Sequence, residues 1–258
     1  MAGKTLIGGT AYEISGGKTL IGGTAYSIAG GKTLVSGTSY DISFGVDLAE
    51  LFSGMTVLRT AENESSSRRI LSLSPPSTFP VGSTAYVFSF CSGSMGIFKV
   101  RRADSIQQIY GNASGGGGLS MDNSGQICYY NNFDSTVDSD VSYTSVYGGT
   151  LVLATFDQPE AKVDAVLGTL QYVTSAGNSS SSQREAYVAS YSNSFYFVAY
   201  NDYFSINYIA TSDLETVFST YSSNPSLLYL YNRNYWFSTS GTTTSTAYGQ
   251  SIHVVRGG

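Results

Sequence analysis

Between Gly3 and Phe44 one short unit is written three times, GKTLIGGTAYEISG, GKTLIGGTAYSIAG and GKTLVSGTSYDISF, with Lys4, Lys18 and Lys32 fourteen residues apart and Tyr12, Tyr26 and Tyr40 in step. A close tandem repeat is an architectural signal, and it narrows what this end of the chain can become before any other feature is weighed. Each unit reads as a β-hairpin. KTLI and TAYEI are rich in β-branched and aromatic residues, and the pair between them, Gly8 and Gly9, tolerates positive φ. Gly22 and Gly23, then Ser36 and Gly37, occupy the same slot.

A two-residue turn sets Ile7 opposite Thr10 and Lys4 opposite Glu13; by the same register Lys32 meets Asp41, while Lys18 meets Ser27. Thr5, Ile7, Tyr12 and Ile14 then share one face. A lone two-stranded hairpin is marginal in water, and a unit this short buries no core of its own. The apolar positions Ile7, Tyr12, Ile14, Ile21, Tyr26, Ile28, Val35, Tyr40 and Ile42 are therefore expected to be covered by one another, by copies of the chain or by a partner. They are the expected oligomer or anchor interface.

The recurring Gly-Lys-Thr is not a phosphate loop. That motif needs a further glycine five residues before the one preceding lysine, and those places hold Tyr12 for Lys18 and Tyr26 for Lys32. No helix start follows to receive a phosphate.

The chain carries 21 Tyr, 13 Phe and 29 Gly, but one His, one Trp and only 12% charged residues, so its polar surface is built from Ser, Thr, Asn and Tyr. This is the balance of an all-β protein with few, short helices. A net charge of −5 and the absence of any basic residue between Arg102 and Lys162 argue against nucleic acid as a partner. No run reaches the length of a membrane span and the N-terminus has no charged-then-apolar signal pattern, so no membrane partner is expected. The expectation is synthesis in a cytoplasm, where the chain stays or from which it leaves by lysis or as part of an assembly.

After Phe44 the rhythm changes. VDLAELFSG suits a two-turn helix closed by Gly54; TVLRTAEN, a polar loop ESSS, RRILSLS, AYVFSF, IFKV, GQICYY and TLVLATF read as strands; ADSIQQIYGN reads as a second short helix. The pattern then echoes itself. QPEAKVDAVLG offers a helix from Asp157 with Pro159 in its first turn, followed by strands parallel to the earlier ones. Ser212 and Glu215 form a capping-box pattern at the place matching ADSIQQIY, and VYGGTLVLA at 146–154 is answered by AYGQSIHVV at 247–255. The expected organisation is a hairpin arm at 1–44, a β module at 45–156 and a second, similar module at 157–258. Both modules are of β-sandwich or barrel size.

Catalytic chemistry finds little support. His253, the only histidine, lies in the apolar run SIHVV, and no G-x-S-x-G elbow accompanies it. Two distant cysteines and one histidine give no zinc spacing. Asp134, Asp138 and Asp140 cluster in NNFDSTVDSDVS without the glycine and terminal glutamate of a calcium loop, so a solvated acidic loop is the reading, with a cation the alternative. Paired carboxylates able to cleave a glycosidic bond cannot be placed from sequence. No catalytic residue, cofactor or metal is assigned. Cys91 and Cys128 can be a disulfide or two buried thiols. Asn63, Asn112 and Asn178 each open an Asn-x-Ser triplet, to which Ser-rich sequence gives no weight.

Aromatic density points elsewhere. FYFVAYNDYFSINY and LLYLYNRNYWFS set rings beside amides, the materials of carbohydrate or protein recognition. A period-two strand has rings on both faces only when both faces are covered. Tyr196, Tyr200, Tyr203, Tyr208, Tyr235 and Trp236 are therefore candidates for surface rings that contact a ligand.

The G-K-T-L-x-x-G-T-x-Y-x-I pattern of residues 1–44 resembles N-terminal repeats of structural proteins encoded by phages and prophages of Gram-positive, mostly gut, bacteria. The rest of the chain carries no such likeness. The resemblance implies a virion component, a head decoration, head fibre or tail fibre, and supplies no catalytic residues. Its expected partners are other copies of the chain, as a homotrimer, other virion proteins, and a glycan or protein of the host surface. The alternatives are a receptor-binding or glycan-binding adhesin module and, behind it, a glycan hydrolase.

Overall fold

Strands that are apolar on alternate residues need one covering layer, and strands apolar on every residue need two. Both kinds occur here. The computed structural model describes residues 48–91, 93–111, 118–130, 143–178 and 180–257 in full, and the strands within 3–42 and at 136–138 by their backbone. Residues 1–47 and 48–258 are two compact units.

In the first unit β1 (Gly3–Ile7) pairs with β2 (Thr10–Ile14), β3 (Lys18–Ile21) with β4 (Thr24–Ser27) and β5 (Gly31–Val35) with β6 (Thr38–Ile42), each pair a separate antiparallel two-stranded sheet. The registers are those the repeat predicts: Lys4 opposite Glu13, Lys18 opposite Ser27 and Lys32 opposite Asp41.

The second unit is all-β with two short helices and no closed barrel among the described residues. Its first half runs α1 (Leu48–Ser53), β7 (Met55–Ile70), β8 (Ser72–Leu73), β9 (Thr84–Cys91), β10 (Ser94–Arg101), β11 (Ser105–Gly111), β12 (Gly118–Asp122), β13 (Ile127–Tyr130), β14 (Thr136–Asp138) and β15 (Ser145–Phe156). Its second half runs α2 (Glu160–Leu167), β16 (Gln171–Gly177), β17 (Tyr187–Ala189), β18 (Ser194–Tyr200), β19 (Tyr203–Ile209), β20 (Leu214–Ser219), β21 (Leu228–Tyr231), β22 (Asn234–Phe237) and β23 (Ser251–Arg256).

The two halves follow one plan. A five-stranded sheet in the order β11-β10-β9-β15-β7 corresponds strand for strand to β20-β19-β18-β23-β16, and β12-β13-β8 corresponds to β21-β22-β17. Even the irregularities coincide. The bulge at Leu58 of β7 recurs at Val173 of β16, and that at Ile109 of β11 recurs at Val217 of β20. Buried Asn63 donates from Nδ2 to the Val146 carbonyl at 2.5 Å, and its counterpart Asn178 donates to the Ala247 carbonyl at 2.7 Å. Both amides are structural struts, closed to glycosylation by their burial.

The halves stack as four layers, outer sheet, inner sheet, inner sheet, outer sheet. Leu71, Leu73, Leu119, Met121 and Ile127 of the first outer sheet pack on Val87, Phe98, Val100, Leu151 and Leu153 of its inner sheet. Val188, Leu228, Tyr235 and Phe237 pack likewise on Tyr196, Val198, Ile252 and Val254 in the second half. Between the inner sheets lie Phe88, Phe90, Phe197 and Phe204, with Phe52 of α1 edge-on to Phe197 at 5.2 Å. Each buried ring contributes about 1.5–3 kcal/mol through area removed from water. The helices are exchanged: α1 packs against β20 and α2 against β11. On α2, Asp164 accepts from Tyr86 Oη at 2.7 Å and from Lys99 Nζ at 2.7 Å, and Glu160 pairs with the same lysine.

Several sequence expectations are corrected here. The segment from Ala103 to Gly111 and the capping-box segment from Ser212 are not helices but carry the edge strands β11 and β20. The bulges explain the misreading: an extra residue sets Ile106, Ile109 and Tyr110, and equally Leu214, Val217 and Phe218, at the i, i+3, i+4 spacing of a helix face. The ESSS segment is not a loop between strands: its Glu64 stays paired opposite Gly148, and residues 65–68 form an excursion within β7 before Arg69 pairs opposite Val146. Helix α2 begins after Pro159, which stands at its N-cap, rather than at Asp157.

Candidate functional site

The arm residues Ile7, Tyr12, Ile14, Ile21, Tyr26, Val35, Tyr40 and Ile42 lie in strands described by their backbone alone, and Ile28 lies outside the described residues. So do Asn112, Asp134 and Asp140, while Asp138 closes the backbone-described β14.

The six candidate aromatics separate by layer. Tyr196 and Tyr235 are core residues, fully or almost fully buried and edge-on to each other at 5.3 Å. They are withdrawn as surface rings, because both faces of β18 are covered: Phe195 and Phe197 face the other half, while Tyr196 and Val198 face the outer sheet. Burial raises the Tyr196 phenol to about 12, and its hydroxyl is tied to the backbone at Ala189 and Tyr191. Tyr200 is half-buried, donates to Glu64 Oε1 at 2.6 Å and so links the halves. Tyr203 leans on Tyr221 at 4.2 Å and Tyr208 on Phe195 at 4.6 Å. Trp236 alone of the six stands on an outward sheet face.

That face belongs to the three-stranded sheet β17-β22-β21. Alternation sends Val188, Tyr235, Phe237 and Leu228 inward and leaves Tyr187, Trp236, Asn234, Tyr229 and Tyr231 outward. Trp236 is paired across the strands with Tyr187 on one side and Tyr229 on the other. Its indole stacks on the Tyr187 ring at 4.1 Å, and its Nε1 donates to the Tyr231 carbonyl at 3.3 Å, so the ring reaches across the sheet with a fixed orientation. Tyr229 and Tyr231 lie nearly parallel, 6.3 Å apart. Tyr187 and Tyr231 are 51% and 52% exposed, well above most large apolar side chains of this unit.

Sequence reasoning found Trp236 and missed Tyr187, Tyr229 and Tyr231. The signal was present in LYLYNRNYWF: Asn232 and Arg233 form a two-residue turn with φ of 48° and 62°, and counting outward by twos puts Tyr229 opposite Trp236. Tyr187 is separated from this hairpin by about forty residues of chain, and no local pattern announces that it pairs with Trp236.

The histidine, the two cysteines and the Lys99 cluster are committed elsewhere. His253 is buried between the halves, bonded through Nδ1 to the Gly93 carbonyl at 3.0 Å and through Nε2 to Tyr110 Oη at 2.8 Å. Burial lowers its pKa to about 4. Cys91 and Cys128 are both free and buried, and burial raises each thiol to about 11, far from a reactive thiolate. A polar depression of about 490 Å³ beside Lys99 and Arg101 offers no unpaired cation, since Lys99 is paired with Glu160 and Asp164 and Arg101 with Asp104.

No helix among the described residues is long and apolar enough to cross a membrane. Comparison of the chain with protein-family models, with curated proteins and with solved structures finds no match.

Proposed function

We propose that this chain is a non-enzymatic structural component of a phage particle, a head decoration or fibre subunit that assembles through its N-terminal hairpins and displays its β body outward. The observation that carries the reading is the arm itself. Three short sheets of two strands each make up the compact unit of residues 1–47, and a two-stranded sheet on its own has two edges to pair and one face to cover. Repeated hairpins from several chains, a homotrimer in the simplest case, would close such edges against one another or against another virion protein. The resemblance of the G-K-T-L-x-x-G-T-x-Y-x-I units to virion repeats supports the same assignment. The body suits display, because its one histidine and the acidic pair on α2 are occupied in structural bonds: His253 by Gly93 and Tyr110, Asp164 and Glu160 by Lys99.

The test is the molar mass in solution of residues 1–258 against residues 45–258. An oligomer for the full chain and a smaller species for the truncated one is the expected result; equal masses would remove the arm from assembly. Recognition of a host surface by the body is the second reading, favoured by the outward rings on β17, β21 and β22.

A further inference from the structure

We infer that the outward face of the β17-β22-β21 sheet is a binding site for a neutral oligosaccharide, with Tyr187, Trp236, Tyr229 and Tyr231 as its stacking surface. The inference rests on the recognition reading and is independent of assembly through the arm.

The strongest argument is an internal comparison. The first half builds the same three-stranded element, and there the positions of Tyr187, Trp236 and Tyr229 are held by Ser72, Cys128 and Ser120. Ser120 and Cys128 are buried and Ser72 is half-buried. The first half therefore covers this face with small residues beneath, whereas the second leaves it open to water. The second half sets three rings across three strands, and Tyr187 among them is half exposed to water. A row of aromatic rings left open to water carries a cost in solubility, which binding explains.

Chemistry and size select the ligand. None of the eleven residues of β17, β21 and β22 is charged, and the flanking Arg184, Glu185 and Arg233 are of both signs, so the face has no field to hold a polyanion. Three strands about 4.8 Å apart, the longer two of four residues, give a face of roughly 10 Å by 13 Å. That is far below the ~800 Å² per partner of a stable protein interface, and it matches a short saccharide. Aromatic rings present an apolar surface to the axial C–H groups of a pyranose, and the tyrosine hydroxyls and Asn234 can meet its hydroxyls. Glu185, whose Oε1 accepts from Thr244 Oγ1 at 2.5 Å, adds a positioned acceptor at the rim. The Trp236 indole is already fixed by Tyr187 and by the Tyr231 carbonyl, so little side-chain entropy remains to be lost on binding.

Trp236 is the only tryptophan in the chain, so its emission reports this face alone. The full-length protein would be titrated with neutral cello-, chito- and malto-oligosaccharides while tryptophan emission is followed. The expected result is a saturable change with at least one series, weakened about tenfold or more by Tyr187→Ala while the urea midpoint falls only by the small share of one cross-strand pair. Tyr231→Ala, which removes another exposed ring, serves if Tyr187→Ala fails to fold. Flat emission with every series, or full retention of affinity in both variants, overturns the site. So does a response confined to phosphatidylcholine vesicles, an oligonucleotide or a protein. The mass of the full-length protein, read in the same samples, reports assembly separately, so the two readings fail independently.

Discussion

Gly148 and Gly249 occupy equivalent places at the start of β15 and before β23, and they touch each other. A Cβ on Gly148 would overlap the Gly249 Cα, and a Cβ on Gly249 would stand 2.6 Å from the Gly148 Cα. Two equivalent residues in mutual contact lie where an axis relating the halves must pass. Gly249 also has φ of +70°. Gly249→Ala is therefore expected to destabilise the body by about 3 kcal/mol or more, the left-handed backbone adding to the overlap. Gly82→Ala is the matched control: its φ is +80° but nothing lies within 4 Å of the added Cβ, so only the backbone cost of about 1–2 kcal/mol applies. Urea midpoints of the two variants check the difference, and equal losses would place the halves further apart than described.

The same junction holds a titratable group. His253 faces Tyr110 Oη and the Gly93 carbonyl, with the Tyr172 ring 5.3 Å away, and no carboxylate among these neighbours compensates a charge on it. With Nδ1–H donating to Gly93, Nε2 accepts from the tyrosine, which is the neutral imidazole. Its folded pKa of about 4 lies below the ordinary 6.5, burial being the main cause. The unfolded chain thus binds a proton that the folded one refuses between these values. Stability attributed to neutral His253 is full above pH 6.5 and is lost as pH falls toward 4, by about 2 kcal/mol at pH 5. Urea unfolding from pH 7.5 to 5 should show this slope, and His253→Gln should flatten it.

Phe88 and Phe197 are likewise equivalent, and their rings stack across the inner sheets with centroids 6.2 Å apart. Phe197 also touches Phe52 of α1 and Phe204 of β19, so its removal opens a cavity shared by both halves. Phe197→Ala should cost about 3–5 kcal/mol. Because the aromatic layer is common property, the loss should lower one cooperative transition rather than split it. A calorimetric trace with two separated peaks would show that the halves unfold independently.

Much of this was legible in the chain. The hairpin registers follow from a two-residue turn and a period of two, and the echo of VYGGTLVLA in AYGQSIHVV names the pair Gly148 and Gly249. What was not legible has physical causes. Bulges at Ile109 and Val217 convert a strand's alternation into a helix's spacing. Tyr196 reads as a candidate surface ring because a strand apolar on both faces looks incomplete, and no local pattern tells that a second sheet covers it. The aromatic face was half visible: the Tyr229 and Trp236 pairing is local, whereas Tyr187 reaches it only through tertiary strand order.

The turn beneath that face gives the last prediction. Asn232 and Arg233 both have positive φ, as a two-residue hairpin of this twist requires. Asparagine tolerates that region, while arginine pays a steric penalty between its Cβ and the following carbonyl. The Arg233 carbonyl accepts from the Ser190 amide at 3.0 Å, a backbone bond that no substitution there removes. Arg233→Gly should therefore stabilise the body by about 1 kcal/mol, seen as a higher urea midpoint with an unchanged slope. The guanidinium is exposed and off the stacking row, so saccharide affinity should be unaffected. A gain in stability accompanied by lost affinity would instead make Arg233 part of the binding surface and move the ligand toward the hairpin tip.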